Sequence, residues 1–290
     1  MIIIDGKQTS LDIQEELKLR IDNVKKQGGK IPHLAAILVG DDGASRTYVN
    51  AKVKACERVG FESSLIKLSK EISQKELLEE IDKLNNNDII DGFIVQLPLP
   101  KHIDETVVTL AVSPEKDVDG FHPQSVGRMA LGLPTFLPAT PNGVMELLKR
   151  YKIQTSGRNC VVVGRSHIVG SPMSILMSRK ENPGNATVTL THSRTKNLAE
   201  ITRNSDILIV AIGIPHFITQ DMVKPGAVVI DVGIHRIEDA SKKSGFKLIG
   251  DVDFANVSKK CSYITPVPGG VGPMTIASLL MNTYKAVYNK

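Results

Sequence analysis

Three stretches of the chain join residue types that can bind a flat ligand or move protons. Tyr48 and Lys52 stand four residues apart within Ser45–Lys52, which makes them neighbours on one helical face. A tyrosine ring beside an amine can stack on a planar ligand and supply a proton-transfer group. The same pair also fits a plain helix surface, where lysines are common. Gln96 stands at the end of an apolar run and leads into Leu97-Pro98-Leu99-Pro100. Ligands of open α/β sheets bind outside the carboxyl ends of strands, so Gln96 either meets a ligand there or merely ends a strand. Lys116-Asp117-Val118-Asp119-Gly120-Phe121 offers two carboxylates, the second inside an Asp-Gly turn signal that would explain it without any ligand.

A fourth stretch suits an anion. Val161-Val162-Val163-Gly164-Arg165-Ser166-His167-Ile168-Val169-Gly170 reads as a strand, a glycine turn and a helix start. In a dinucleotide fold that helix terminus faces the pyrophosphate, and glycines let the backbone approach it. The pattern is not GxGxxG, since Ser166 takes the middle position, and an ordinary βα turn would look similar. The parallel-type strands that follow favour the nucleotide. About twenty-five residues on, where NAD sites usually place an acid for the ribose hydroxyls, the chain has Thr191-His192-Ser193-Arg194. An arginine and a hydroxyl suit a 2′-phosphate, with Arg165 joining from the first turn, so NADP is expected over NAD. The competing reading is that Arg194 opens a solvated helix. Pro266–Pro273 is too dense in breakers for regular structure and is either a ligand-holding or simply a rigid loop. No GK[ST], HExxH or GxSxG motif occurs, and the seven histidines show no ligand spacing. No metal is expected.

The elements that must hold these residues alternate. Leu34–Val39, Ser64–Leu68, Gly92–Leu97, Asn159–Val163, Ala186–Leu190, Asp206–Ile212, Ala227–Val232 and Lys247–Ile249 read as strands. Ala44–Val59 and Gln74–Leu84 place apolar residues at helical spacing. Nearly continuous apolar strands alternating with helices imply parallel sheets covered on both faces. Glycines and prolines cluster near Gly127–Pro141, which marks a seam, and Thr140-Pro141 reads as an N-cap and first helical residue opening Asn142–Tyr151. Pro273–Tyr288 is again helical and could pack on either domain.

At about 150 residues per domain, a chain of 290 residues implies two domains. With 41% hydrophobic, 23% charged and 4% aromatic residues, the composition excludes a disordered or collagen-like chain. The net charge of +5 is spread out, and stacking aromatics are scarce. That argues against nucleic acid and allows either a small anionic ligand or a plain basic surface. Cys56, Cys160 and Cys261 lie far apart and are expected as buried small residues, with neither disulfide nor zinc. The N-terminus lacks a signal-peptide pattern and no apolar run reaches membrane length, so a cytoplasmic location is expected.

Taken together, these stretches resemble the bifunctional methylenetetrahydrofolate dehydrogenase/cyclohydrolase (FolD) family. The matching segments are Tyr48-Val-x-x-Lys52, Val95-Gln-Leu-Pro-Leu-Pro100, Lys116-Asp-Val-Asp-Gly-Phe-His-Pro123, Gly164-Arg-Ser-x-x-Val-Gly-x-Pro172 and Tyr263-Ile-Thr-Pro-Val-Pro-Gly-Gly-Val-Gly-Pro-Met-Thr275. They follow the family order over nearly the whole chain. The chain is too short for the ligase domain that larger relatives add.

The resemblance implies two α/β domains. Residues 1–137, joined by 267–290, would bind folate and carry the catalysis, with the C-terminal helix returning to this first domain. Residues 138–266 would form a Rossmann-like parallel-sheet domain binding NADP. Two reactions in one cleft are implied: NADP-dependent oxidation of 5,10-methylenetetrahydrofolate to the methenyl form, then hydrolysis to 10-formyltetrahydrofolate. By the same resemblance Lys52 is the key catalytic residue, Tyr48 stacks on the folate, Gln96 tunes the lysine and Asp119 grips the pterin. Leu97, Pro98, Pro268, Gly269 and Gly270 would line the folate channel. Gly164, Arg165, Ser166, Ser193 and Ile234 would contact NADP, with Arg194 beside them. A homodimer is implied. Rival readings are a monofunctional or NAD-preferring member of the family, a two-domain α/β protein that binds without turnover, and an amino-acid-dehydrogenase-like enzyme.

Overall fold

Ile2–Ile3 forms a two-residue strand (β1) that leads into a 21-residue helix, Gly6–Lys26 (α1). Ile13, Leu17 and Ile21 recur at four-residue spacing along α1 and are all buried, the apolar stripe that fixes a helix against a core. The sequence reading did not include this helix, in which a further leucine, Leu19, lies exposed off the stripe. The chain is a computed structural model in which residues 1–242 and 245–288 are described. It divides into two compact units: Leu11–Ala139 with Ile276–Lys290, and Met1–Ser10 with Thr140–Thr275.

The unit built on Leu11–Ala139 holds His33–Val39 (β2), Gly43–Val59 (α2), Glu62–Leu68 (β3), Gln74–Asn85 (α3), Gly92–Val95 (β4), Glu105–Ala111 (α4) and Pro123–Ala130 (α5). Its sheet is parallel in the order β3-β2-β4. Six of the seven β2 residues are buried, as expected for a central strand covered on both faces. Ile37, Phe93, Leu77, Ile81, Ile103 and Val108 make one core cluster; each such fully buried side chain contributes about 1.5–3 kcal/mol relative to exposure. Ser73 caps α3 in a reciprocal capping box with Glu76, which satisfies two otherwise orphan donors.

Ala139–Arg150 follows as α6. Thr140 lies inside its first turn and is not its N-cap: its hydroxyl is engaged by Thr275 Oγ1 at 2.9 Å. Pro141 is tolerated there because first-turn N–H groups need no helical acceptor. The second unit then runs Asn159–Val163 (β5), Gly170–Ser178 (α7), Thr187–Thr191 (β6), Leu198–Arg203 (α8), Ile207–Val210 (β7), Val228–Asp231 (β8), His235–Glu238 (β9), Phe246–Ile249 (β10), Phe254–Val257 (α9) and Tyr263–Ile264 (β11); Val271–Tyr288 (α10) starts in it and is counted with the first unit from Ile276 on. Its main sheet is wholly parallel, in the order β1-β11-β8-β7-β5-β6. Strand β10 departs from expectation. It pairs antiparallel with β9 in a separate hairpin, where residues alternate between partly buried and exposed along β9, with Arg236 stacked 3.5 Å over Phe246.

The last turns of α10 belong to the first of these units. Arg20 lies 5.7 Å over the Tyr284 ring, and Asn282 Nδ2 donates to the Val118 and Leu137 carbonyls at 2.8 and 2.9 Å. All three cysteines are buried free thiols, and burial pushes Cys56 and Cys160 up to about 12. Among the described residues no helix is long and apolar enough to cross a membrane.

Candidate active site

Helix α2 is started by Asp42, whose carboxylate accepts the Ser45 N–H at 2.8 Å. That start sets the rotation that places Tyr48 and Lys52 one turn apart. Lys52 is 7% exposed, and its ammonium donates to Gln96 Oε1 at 3.0 Å. Burial lowers the Lys52 pKa below the ordinary lysine value, and the Asp119 charge offsets part of that shift. Tyr48 is partly buried, and burial raises its pKa, so the hydroxyl stays protonated.

Gln96 stands just past β4, where its N–H donates to the Ile37 carbonyl at 2.9 Å. Its side-chain Nε2 donates to the Leu97 carbonyl at 2.6 Å. With the amide nitrogen committed there, the oxygen is left to face Lys52, which fixes the amide orientation chemically. The Leu97–Pro98 peptide is cis, and Pro98 lines a groove with Asp41, Asp42, Lys70 and His102 beyond the ends of the strands.

Asp119 lines a small recess with Leu97, Val95 and Phe121. Burial raises its pKa, the Lys52 charge lowers it, and the neighbouring Asp117 raises it again. The two carboxylates of this loop differ in use. Asp117 is buried and spends its oxygens on the chain itself: Oδ1 accepts the Gly120 N–H at 3.1 Å and Oδ2 accepts the His122 N–H at 2.7 Å. Sequence reasoning gave Asp117 no role, yet it shapes the turn that presents Asp119. The Asp119 carbonyl also accepts the Ala139 N–H at 3.1 Å. Tyr48, Lys52, Gln96, Leu97, Pro98 and Asp119 therefore all lie in one unit.

Pro268, Gly269 and Gly270 lie in the other unit, after β11, with a cis Val267–Pro268 peptide. The Gly269 carbonyl accepts the Lys7 N–H at 2.8 Å. In this unit the order of strands reverses direction at β5, with β6 on one side and β7 on the other. Gly164 follows β5 with φ +120, and a Cβ there would collide with the Ala211 carbonyl; one on Gly170 would collide with the Gly164 carbonyl. The backbone thus forms a close-packed cradle at the N-terminus of α7. Ser166 Oγ accepts the Val169 N–H at 3.2 Å, and Arg165 and Ser166 are exposed.

Because β5 and β6 are adjacent, with Val163 opposite Thr191, the turn at His192–Thr195 leaves the sheet next to Gly164. That turn is closed by His192 N–H to Thr195 Oγ1 at 2.9 Å, and Ser193 and Arg194 are exposed on it. Ile234, 46% exposed, follows β8. Just before it lies a second feature that sequence reasoning missed, the buried pair Asp231 and Asp251. The available signal was an Asp beside a Gly at two strand exits, Asp231-Val232-Gly233 and Gly250-Asp251. Among the described residues no group of three or more His, Cys, Asp or Glu gathers for a metal ion.

Two family descriptions match this chain: "Tetrahydrofolate dehydrogenase/cyclohydrolase, catalytic domain" over residues 4–119, and "Tetrahydrofolate dehydrogenase/cyclohydrolase, NAD(P)-binding domain" over residues 138–290. The bifunctional protein FolD of Cytophaga hutchinsonii is 68% identical over 286 residues, 99% of each chain. Among solved structures, the bifunctional FolD of Campylobacter jejuni superposes with a TM-score of 0.93 at 50% identity, covering 100% of this chain and 99% of that one. The FolD of Trypanosoma brucei, crystallised with NADP cofactor and inhibitor, also gives 0.93, at 38% identity over 99% of this chain and 97% of that one.

Proposed function

This chain belongs to the tetrahydrofolate dehydrogenase/cyclohydrolase family and is a bifunctional dehydrogenase and cyclohydrolase of folate one-carbon metabolism, and we propose how its residues divide the two reactions. The observation that carries the proposal is the buried Lys52 amine held by Gln96 at 3.0 Å, with a lowered pKa.

Hydrolysis of the methenyl bridge needs proton transfer. Water adds to the bridge carbon, one water proton must leave, and the departing ring nitrogen must gain one. A lysine whose pKa is lowered by burial gives up its own proton more readily. In its neutral form it takes the first water proton and returns it to the nitrogen; the second water proton passes to solvent as the formyl C=O forms. Gln96 Oε1, accepting one Nζ–H, turns the nitrogen lone pair towards the substrate. Tyr48 stacks its ring on the folate. Asp119 accepts two adjacent N–H groups of the pterin edge in parallel, a charge-assisted pair that anchors the substrate. Leu97 and Pro98 border it within the same unit.

The oxidation makes different demands. Loss of hydride leaves a cation stabilised by the folate nitrogens, so positioning matters more than a base. A charged Lys52 near that cation would oppose it, so the lysine serves hydrolysis more than oxidation. NADP supplies the hydride acceptor when bound. The cradle of Gly164 and Gly170, the exposed Arg165 and Ser166, and Ser193 and Arg194 on the neighbouring strand exit fit its phosphates, with Ile234 beside them. The absence of an acid after β6 supports NADP over NAD. A homodimer and a cytoplasmic location go with this reading, supported by the family resemblance.

The test mixes the protein with 5,10-methylenetetrahydrofolate and either NADP or NAD and follows methenyl absorbance. Methenyl-folate supplied without nucleotide then reports hydrolysis alone. NADP-dependent formation and nucleotide-independent decay of the methenyl form are expected; no signal with either nucleotide, or no decay, would overturn the assignment.

A further inference from the structure

Two buried carboxylates knit together the chain exits of β7, β8 and β10. Asp251 Oδ2 accepts the N–H groups of Ile212 and Gly213, each at 2.8 Å, just past β7. Its other oxygen meets His235 Nε2 at 2.6 Å, at the start of β9. Asp231, the last residue of β8, mirrors it. Oδ1 accepts Gly233 and Asp251 N–H, and Oδ2 accepts Val252 N–H, all at 3.0 Å. The glycines beside them are required by the same packing. A Cβ on Gly233 would collide with the Asp251 carboxylate, and one on Gly250 with the Asp231 carboxylate. Asp231 is 3% exposed and Asp251 is fully buried.

Neither carboxylate has a part in the two reactions as proposed above, and neither is needed to cap a helix. What they hold is specific. Ile212 and Gly213 follow Ala211, whose carbonyl packs against Gly164 where the strand order reverses. In open parallel sheets that switch point is the ligand crevice. Gly233 and His235 flank Ile234, which is exposed.

We infer that Asp251, backed by Asp231, is a positioning residue for the dinucleotide: it fixes the Ile212–Gly213 backbone and, through His235, the Ile234 segment along the β7–β8 side of the crevice. The inference rests on the nucleotide reading of this unit. A buried carboxylate suits the task because it accepts several N–H groups at once and has no rotamer freedom once they are bound.

The enzyme supplies its own control, because hydrolysis needs no nucleotide. In Asp251→Ala the Kd for NADP, measured by titration calorimetry, and the nucleotide KM are expected to rise at least tenfold. Hydrolysis of methenyl-folate should stay within twofold, and amide exchange at Ile212 and Gly213 should accelerate without any ligand. Asp251→Asn, whose carbonyl still accepts those N–H groups, should recover most of the affinity. His235→Ala is the milder probe should Asp251→Ala fail to fold, and a rise of about threefold in NADP Kd is expected. Unchanged NADP affinity in His235→Ala, or equal losses of both activities in a folded Asp251→Ala, would overturn the inference. Absence of NADP binding by the unaltered enzyme would instead overturn the nucleotide reading.

Discussion

Lys52 Nζ donates to Gln96 Oε1 at 3.0 Å, while Gln96 Nε2 is committed to the Leu97 carbonyl at 2.6 Å. The lysine therefore faces a neutral acceptor, and burial is free to lower its pKa. Gln96→Glu keeps the shape and adds a charge. An opposite charge at that distance shifts a pKa by about one to three units, so the rising limb of the hydrolysis pH profile should move upward by that amount. At neutral pH the rate should fall at least tenfold, with dehydrogenation less affected. Rates measured from pH 6 to 9 decide it; an unmoved limb means Gln96 does not set the lysine.

Replacing Lys52 with Met removes the proton carrier and keeps the apolar stem. Hydrolysis should lose about a hundredfold to ten-thousandfold, the usual range for an acid–base group, while dehydrogenation loses far less. Stability should move the other way. The native pKa of Lys52 lies below its unfolded value, so at neutral pH the native state bears the cost of burying a charge. Removing it should raise the urea midpoint at neutral pH. The gain shrinks as pH rises through the lowered pKa towards the ordinary lysine range, where both states are neutral. Equal losses in the two activities would refute the division of labour.

Asp119→Asn should affect the folate alone. The amide oxygen still accepts one pterin N–H, but its NH2 opposes the second. Losing a charge-assisted hydrogen bond costs about 1.5–3 kcal/mol, so folate KM should rise tenfold or more. Nucleotide KM should be unchanged, since the residues proposed for the nucleotide all lie in the other unit. Steady-state kinetics varying one substrate at a time separates the two.

Much of this was legible in the sequence because the signals are local. Strand β5 matches its expected bounds, and α2 and α3 differ from theirs by one residue at one end, since apolar periodicity and caps lie within the elements themselves. The Tyr48–Lys52 face is equally local. What escaped depends on contacts distant in sequence. β1 is two exposed isoleucines until β11 pairs with it. β10 looks like its neighbours, but its partner is β9. Thr140 looks like a cap until Thr275 takes its hydroxyl. Asp117, Asp231 and Asp251 resemble ordinary turn aspartates, and only the fold shows which backbone donors they collect.

Arg194 tests cofactor choice. It is exposed on the turn after β6, next to the Gly164 exit. Arg194→Ala should raise the KM for NADP about tenfold or more, the value of one charge-assisted phosphate contact. The KM for NAD, which has no 2′-phosphate, should barely move. An unchanged NADP:NAD ratio would refute the roles given to Arg165 and Arg194.

The Asp231–Asp251 pair makes stability depend on pH in a direction opposite to ordinary surface carboxylates. Burial, aided by the Asp251 charge, pushes Asp231 up to about 7, against the pull of three backbone N–H groups. A carboxyl whose native pKa is raised contributes stability that is fully present below its unfolded pKa and is lost as pH rises through the native value. With about three units between the two, the loss is at most about 4 kcal/mol. The groups facing Asp231 are the Asp251 carboxylate and the Gly233, Asp251 and Val252 N–H groups, with His235 on the far side of Asp251. Asp231→Asn cannot ionise, so subtracting its urea midpoint from that of the unaltered protein isolates the effect. That difference should fall from about pH 4 upward and level off just above pH 7, where both states are ionised. A flat or rising difference would show that the N–H groups outweigh burial and keep Asp231 ionised throughout.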